Sequence, residues 1–301
     1  MTRTRGATSP HARAQRRLFW PFLIPALVLF AGVFLGPIVL NVLYSFGDVG
    51  SSGQPQITGL SHYGDAFGDH VFWSSLEHTL IYAGESTVIL FVPALFLAWC
   101  LAQVSRWRRF FRVMVFAPVV VSILVASLVW KFLLNPTWGL VDALLRAVGL
   151  SSLAIPWLGD TRTAMLSVVV AAVWQSLGLW VVLISAGLER VDPDLYEAAR
   201  VDGANRRAEF WHISLPQLYP VLRALILLWV VQAVQVFAFV YVMTPSGGPA
   251  GVTAVVSTYI YDEAFTSQDY GYAACLATIV LVLTGVLGVV VATVLRRSRD
   301  E

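Results

Sequence analysis

Residues 163–188 read TAMLSVVVAAVWQSLGLWVVLISAGL and contain no charged side chain. A helix needs about 20 apolar residues to cross the hydrocarbon core of a bilayer. The stretch is continuously apolar, whereas a strand of a membrane barrel alternates between apolar and polar residues. It therefore predicts a membrane-spanning helix.

Five further stretches lack charge in the same way: 18–47, 86–105, 113–130, 224–261 and 270–295. Hydrophobic residues make up 57% of the 301 residues and charged residues only 13%, against roughly 25% charged residues in a soluble domain. This composition excludes soluble, disordered and disulfide-stapled secreted proteins. We predict an all-α polytopic membrane protein with six transmembrane helices, at about 18–46, 79–103, 112–133, 164–187, 221–243 and 272–295.

The first stretch follows a basic tail, residues 1–17, as the apolar part of a signal peptide would. A signal peptide has an apolar region of only about 7–15 residues, so we expect a retained helix. The only two cysteines, Cys100 and Cys275, fall inside predicted spans. They are expected to be small packing residues, not a disulfide or a metal pair.

The basic residues separate by loop. Of the 20 Lys and Arg residues, all but Lys131, Arg146 and Arg162 lie in the N-terminal tail, in 106–112, in 189–223 or in the C-terminal tail. The positive-inside rule places that larger group, and with it both termini, in the cytoplasm. The net charge of +2 therefore conceals a basic inner face and an acidic outer face.

The cytoplasmic loop 188–220 carries clear helix signals. Asp192 is a good N-cap with Pro193 at the first helical position, and Gly203 supplies a left-handed residue. These signals predict a helix over 193–201, followed by a second one over about 205–212. Pro216 should end the second helix, with Leu215 extended.

One face of the first short helix carries almost no side-chain bulk. Ala198 and Ala199 would let another protein's backbone approach closely, and Glu197 beside them can pair with a basic residue of a partner. The local signals leave two interpretations open, a docking surface and a solvated hairpin.

Glu197-Ala198-Ala199, Gly203 and Ile213-x-Leu215-Pro216 resemble the EAA loop of ABC importer permeases. Trp157-Leu158-Gly159-Asp160, Gly247-Gly248-Pro249 and Tyr259-Ile260-Tyr261 are similar to the sugar branch, the maltose and glycerol-3-phosphate permease type. The resemblance extends over about 18–298. It departs from the family at Thr244-Pro245-Ser246-Gly247-Gly248-Pro249, where Thr-Gly-Gly-Gly-Pro is common.

The resemblance implies a type I importer permease-like fold. A transmembrane permease domain, 18–298, would lie between the cytoplasmic tail 1–17 and a tail end 299–301, in a bacterial plasma membrane. Residues 188–220 would form the coupling loop that docks on the ATPase, with Glu197 in an ion pair and Gly203 in the turn. The implied coupling residues are Glu197, Ala198, Ala199, Asp202, Gly203, Ile213, Leu215 and Pro216.

The resemblance also implies partners. A second permease subunit, giving a heterodimer, would complete the pore, and two copies of an ABC ATPase would bind ATP and Mg. An extracellular solute-binding protein would deliver a carbohydrate, with a polyol, glycerol-3-phosphate or another small polar solute as the alternative. This chain would be a transport subunit and not an enzyme, in contact with lipid but not nucleic acid, and would bind no metal or cofactor itself.

Polar residues inside membrane spans are costly and often functional. Candidates for a substrate pathway are Trp174, Gln175, Trp229, Gln232, Gln235 and Phe239. Gln232, Gln235 and Phe239 would share one helical face, and sugars suit amides and aromatic rings. The alternative is that the glutamines join helices to one another. Glu85 is the only acid in a span and has either a structural role or a place in the outer cavity, and His62, His70 and His78 are expected to be solvated.

Two other classes of protein fit less well. A secondary transporter or channel would not need the EAA loop, and inverted repeats are not apparent. A membrane-embedded enzyme would need an intramembrane constellation of reactive side chains, and only Glu85, Cys100 and Cys275 are available. A GxxxxGKS/T loop is absent, so ATP hydrolysis is expected on a separate subunit.

Overall fold

The computed structural model describes residues 21, 23–49, 55–103 and 106–297. The predicted tails 1–17 and 299–301, and the first residues of the first span, lie outside these ranges. Two compact units are present. One runs up to Gly68 and includes Glu263–Ile279, and the other comprises Asp69–Asp262 and the chain from Val280 on.

The first unit combines a long apolar helix with a small hairpin. Helix α1 (Leu23–Tyr44) contains a π turn at Ala31–Leu35 and leads into strands β1 (Gly47–Val49) and β2 (Pro55–Ile57), which pair antiparallel. Helix α2 (Ser61–Gly68) follows. The amide of Asn41 donates to the carbonyl of Ala274 at 3.2 Å and to Thr278 Oγ1 at 3.1 Å, which joins α1 to the start of the last helix.

The prediction that His62 is solvated is wrong. His62 is buried, and its Nε2 lies 2.8 Å from Asp48 Oδ1. A Cβ on Gly271 would come within 2.4 Å of Gly47 O and 2.9 Å of His62 Nε2. Only a glycine therefore lets the chain pass this close to His62 and Asp48.

The second unit contains most of the remaining helices. They are α3 (His70–Gln103), α4 (Arg108–Phe116), α5 (Ile123–Leu133), α6 (Leu140–Ala147), α7 (Ala164–Leu188), α8 (Pro193–Val201), α9 (Arg206–Val234) and α10 (Ala238–Met243). Helix α11 (Val256–Phe265) begins in the second unit and ends in the first, and α12 (Tyr270–Arg297) begins in the first unit and ends in the second. Short 3₁₀ turns occupy Ala117–Val120, Ser151–Leu153, Pro245–Gly247 and Pro249–Gly251.

Helices α3 and α7 form the centre of this unit. Leu90, Ala94 and Ala98 recur every four residues on α3 and are fully buried, as are Val168 and Ala171 on α7. Residues four apart share one helix face, and small side chains let two helix backbones approach closely. The alanines of α3 therefore set the tight packing around which the other helices are arranged.

Within the part of the chain that the structure describes, five helices are long and apolar enough to cross a membrane, namely α1, α3, α7, α9 and α12. The predicted third span is not one straight helix. Its first part, α4 with the 3₁₀ turn that follows it (Arg108–Val120), meets α5 at 95°. Val121 and Ser122 between them are extended, with ψ near 131° and 140°. Pro118, which lacks a backbone N–H, lies just before this bend and favours an interruption. Six spans result if the bent pair crosses as one.

The predicted fifth span is also interrupted. Helix α9 ends at Val234, Phe237 is non-helical (φ −134°, ψ −62°), and α10 begins at Ala238. The predicted shared face of Gln232, Gln235 and Phe239 is therefore wrong, because the helix that would align these residues stops between them.

Pro216 does not end the second short helix of the loop, so that prediction is wrong. Leu215 is helical (φ −65°, ψ −46°), and α9 runs without a stop from Arg206 to Val234. A π turn at Phe210–Ser214 takes in one extra residue just before the proline. The missing N–H of Pro216 thus falls where the helix is already widened.

Candidate functional site

Helix α8 and the turn after it have the predicted local structure. Asp192 Oδ1 accepts a hydrogen bond from the backbone N–H of Asp194 at 3.0 Å, and Pro193 occupies the first helical turn. Gly203 has φ +82°, the left-handed conformation expected of it. The prediction of a helix over 193–201 closed by Gly203 is confirmed.

Two side-chain contacts fix α8 against the first turns of α9. Arg200 Nε donates to Glu209 Oε1 at 2.8 Å, and the hydroxyls of Tyr196 and Ser214 lie 2.9 Å apart. The hydrogen bond and charge of Glu209 raise the pKa of Arg200 above its ordinary value, so the guanidinium remains a fixed cation. Helix α8 and the start of α9 therefore form one stiff element, which we term the coupling corner (residues 192–216).

The predicted coupling residues divide into two groups within this corner. Glu197, Ala198, Asp202 and Gly203 are exposed on α8 and its turn, and Ala199 is half-buried. In contrast, Ile213 and Leu215 are half-buried on α9, and Pro216 is exposed. The corner thus presents Glu197 beside a nearly bare alanine surface.

The coupling corner and the segment just before it are tied to neighbouring helices of the same unit. Glu189, just after α7, accepts hydrogen bonds from Arg108 at 2.6 Å and Arg112 at 3.1 Å, both on α4. Arg206 donates to Gln103 at the end of α3. A cavity of about 480 Å³ lies between these contacts, lined in part by Trp99, Arg108, Glu189, Tyr196, Arg206 and Glu209. We call the region that carries the coupling corner, Glu189, the start of α4 and the end of α3 the α8 end of the unit.

The substrate-pathway candidates do not form one site. Trp229 and Phe239 are each only 5% exposed. The indole N–H of Trp229 donates to Ser86 Oγ at 3.2 Å, and its ring meets the edge of Trp180 at 5.6 Å. Trp174 is 37% exposed and packs against Trp130 at 5.8 Å. These three aromatic residues are held in helix packing.

Gln175 stabilises the bend in the third span. Its Nε2 donates to the carbonyl of Val121 at 3.2 Å. That carbonyl lies at the interruption, where no backbone N–H of a following helical turn donates to it. The amide of Gln175 supplies the missing hydrogen bond. This contact is of the helix-joining kind, and a role for Gln175 in the pathway stays a prediction.

Gln232 and Gln235 differ from the other candidates, because both are exposed at the end of α9. Three aromatic rings lie beside the interruption that follows. The ring of Phe237 is stacked on Tyr241 at 5.0 Å and 19°, and Tyr261 lies 5.2 Å from Phe237 and 5.0 Å from Tyr241. Sequence reasoning missed Phe237, Tyr241 and Tyr261 as site residues, although the motif Tyr259-Ile260-Tyr261 contained one of them.

The end of the unit that carries α11 has further polar contacts. Thr79 on α3 accepts from the N–H of Val256 at 2.9 Å, and Lys131 Nζ donates to the carbonyl of Val242 at 2.8 Å. His78 is half-buried and lies 3.1 Å from Ala254 O, so it is not simply solvated as predicted. Partial burial raises the pKa of the Asp262 carboxyl above its ordinary value.

Glu85 lies inside α3. Its Oε2 is buried, and among the described residues it has no hydrogen-bond partner. The structural role and the place in the outer cavity both stay predictions for Glu85.

Comparison with known proteins identifies the family. A family model described as the inner membrane component of binding-protein-dependent transport systems matches residues 91–300. The probable ABC transporter permease protein YurN of Bacillus subtilis (strain 168) is 38% identical over 283 residues, covering 93% of this chain and 96% of that protein. The lactose transport system permease protein LacF of Rhizobium radiobacter is 30% identical over 271 residues, covering 89% and 90%.

The fold is shared with a solved transporter. The structure of a bacterial ABC transporter involved in the import of the acidic polysaccharide alginate matches with a TM-score of 0.82 and 24% identity, over 94% of this chain and 96% of the other. The predicted importer-permease fold is thereby confirmed. The family match and the permease relative exclude the alternatives of a secondary transporter and a membrane enzyme. The chain belongs to the family of binding-protein-dependent transport system inner membrane components, and it is a multi-pass membrane permease of an ABC transporter, not an enzyme.

Proposed function

We propose that this chain is the transmembrane permease subunit of an ATP-driven importer that moves a carbohydrate into the cell. The observation that carries the proposal is the coupling corner, a capped helix that displays Glu197 and Ala198 to solvent while Arg200 and Tyr196 hold it rigidly. A stiff exposed element of this kind suits the transfer of motion from a partner protein.

The partner is an ABC ATPase, present in two copies, and a second permease subunit completes the pore. Helix α8 lies in a groove of the ATPase, where the exposed Glu197 forms an ion pair with a basic residue and Ala198 and Ala199 allow close backbone approach. ATP and Mg are bound by the ATPase subunits. An extracellular solute-binding protein delivers the substrate to the opposite face.

The orientation follows from the charges. The α8 end, with Arg108, Arg112, Arg200 and Arg206, faces the cytoplasm of a bacterial cell, because cytoplasmic loops carry the excess of basic residues. Both termini lie on that side, and the permease domain spans 18–298. The outer side carries nine of the 18 acidic residues and only Lys131, Arg146 and Arg162 as basic ones.

The carbohydrate assignment is supported by two observations. The relative LacF is named as a lactose permease, and the exposed amides of Gln232 and Gln235 offer donors and acceptors for sugar hydroxyls. A polyol or glycerol-3-phosphate is the second candidate substrate, since amides also bind these solutes.

The coupling assignment is tested with Gly203→Val and with Gly59→Val as a matched control. Both glycines have positive φ, +82° and +69°, and a side chain at either would point into open space. The two exchanges therefore impose similar backbone strain, but only the first lies in the coupling corner. We expect Gly203→Val to insert into the membrane yet lose ATP-driven uptake and stimulation of the ATPase, while Gly59→Val keeps both. Normal uptake and ATPase recruitment by Gly203→Val would contradict the assignment.

The substrate class is tested by uptake into vesicles that contain the complete transporter and its binding protein. The solutes to compare are lactose, maltose, mannitol and glycerol-3-phosphate. ATP-dependent uptake of a sugar supports the proposal, whereas uptake of mannitol or glycerol-3-phosphate alone selects the second candidate.

A further inference from the structure

The rings of Phe237, Tyr241 and Tyr261, the aromatic triad, form a compact group at the interruption of the fifth span. Their centroids are 5.0–5.2 Å apart, with one stacked, one tilted and one edge-on pair. Tyr241 remains 41% exposed, while Phe237 and Tyr261 are half-buried. The two inner rings thus support an outer ring that is open to contact.

The interruption itself builds this group. The carbonyl of Val236 lies outside any helix, and Ser257 Oγ on α11 donates a hydrogen bond to it. Ser257 and Tyr261 are four residues apart, so both project from one face of α11. The contact that satisfies the released carbonyl therefore also brings Tyr261 against the other two rings.

Polar groups are carried by the triad itself and by the chain segments next to it. The hydroxyls of Tyr241 and Tyr261 interact, and the Asp262 carboxylate is close enough to act electrostatically on Tyr241. Gln235, two residues before Phe237, has an exposed amide. An amide and a carboxylate are unfavourable against lipid tails, so this surface is unsuited to face the hydrocarbon core of the bilayer.

We propose that the aromatic triad, together with Gln235 and Asp262, is a carbohydrate-binding subsite of the translocation pathway. The inference rests on the proposed function and deepens it. The apolar face of a sugar ring would lie on Tyr241, since aromatic side chains combine a large apolar face with a polar tip. The amide of Gln235 and the carboxylate of Asp262 would bind hydroxyl groups, because they offer both donors and acceptors.

The test measures sugar transported per ATP hydrolysed, in vesicles that hold the complete transporter with saturating binding protein and a sugar that the wild type imports. Stimulation of the ATPase by the binding protein needs an assembled complex but not this subsite. We expect Tyr241→Ala to lower the ratio about fivefold, the equivalent of one lost aromatic contact. Tyr241→Phe, which keeps the ring, should retain most of the ratio.

Two further variants distinguish loss of the subsite from a general loss of folding. Gln235→Ala removes an exposed side chain and should lower the ratio in the same direction. Trp138→Ala is the control, because Trp138 is 62% exposed, lies in the loop after α5 and packs against Phe132, outside the triad. It should leave the ratio unchanged.

The outcomes separate the two proposals. A ratio of transported sugar to hydrolysed ATP that is unchanged in both Tyr241→Ala and Gln235→Ala overturns the subsite alone. This includes the case in which uptake and ATP hydrolysis fall equally in both variants. If the wild-type transporter imports no sugar at all, the carbohydrate function fails and the subsite with it.

Discussion

Gly178 marks the closest approach of α7 to α4. A Cβ on this residue would lie 2.3 Å from the carbonyl oxygen of Val115 and 2.7 Å from Cα of Phe116. Both neighbours are backbone atoms that cannot turn aside as a flexible side chain can. The absence of one methyl group therefore decides how close the third and fourth spans can lie.

Replacement of Gly178 by alanine should destabilise the protein, because α4 and α7 would have to separate. The control is Gly84→Ala, a helical glycine on α3 with no atom within 4 Å of the added Cβ. Without a clash, alanine in place of a helical glycine stabilises by about 0.4–1 kcal/mol. Thermal unfolding of the purified protein in detergent should show a lower midpoint for Gly178→Ala alone. Equal midpoints would mean that the close approach is not needed.

Gln175→Leu tests whether the amide of Gln175 supports the bend. The exchange keeps a similar volume but leaves the part-buried Val121 carbonyl without its partner, at a cost of about 1 kcal/mol. A lower unfolding temperature with sugar transport per ATP unchanged in the surviving protein is the expected result. Normal stability with a reduced transport ratio would instead place Gln175 in the pathway.

At the scale of helices, the sequence predicts some boundaries well and others not at all. Asp192, Pro193 and Gly203 act on their own neighbours, so α8 could be placed from local signals. The interruptions after Val120 and Val234 depend on Gln175 and Ser257, which lie far along the chain from the carbonyls they bind. Apolar periodicity has no information about such distant partners, and it therefore predicted continuous spans. The aromatic triad was missed for the same reason.

The ion pair between α8 and α9 can be tested by exchange of charges. Glu209→Arg places two cations against each other and should loosen the coupling corner, which lowers ATPase stimulation by the binding protein. The double exchange Arg200→Glu with Glu209→Arg restores opposite charges and should recover part of the activity. No recovery in the double variant would show that the pair does not hold the corner.

At the scale of the whole chain, the separation of basic and acidic loops makes a prediction about sidedness. Cys100 and Cys275 are first replaced by alanine, and one new cysteine is introduced at the exposed Asp202 or the exposed Thr137. In intact cells, a membrane-impermeant thiol reagent should label the cysteine at 137 and not the one at 202. In inside-out vesicles the pattern should reverse. The same pattern in both preparations would contradict the proposed orientation.

Helix α9 connects the coupling corner with the interruption of the fifth span, which the sequence predicts to lie on two separate helices. It starts in the coupling corner and ends directly before Gln235, with no stop at Pro216. At 1.5 Å per residue, its 29 residues form a rod about 43 Å long. A tilt of about 5° at one end would displace the other by roughly 4 Å. Helix α9 can therefore act as a lever arm, in which a small tilt at the coupling corner becomes a displacement at the interruption of the fifth span.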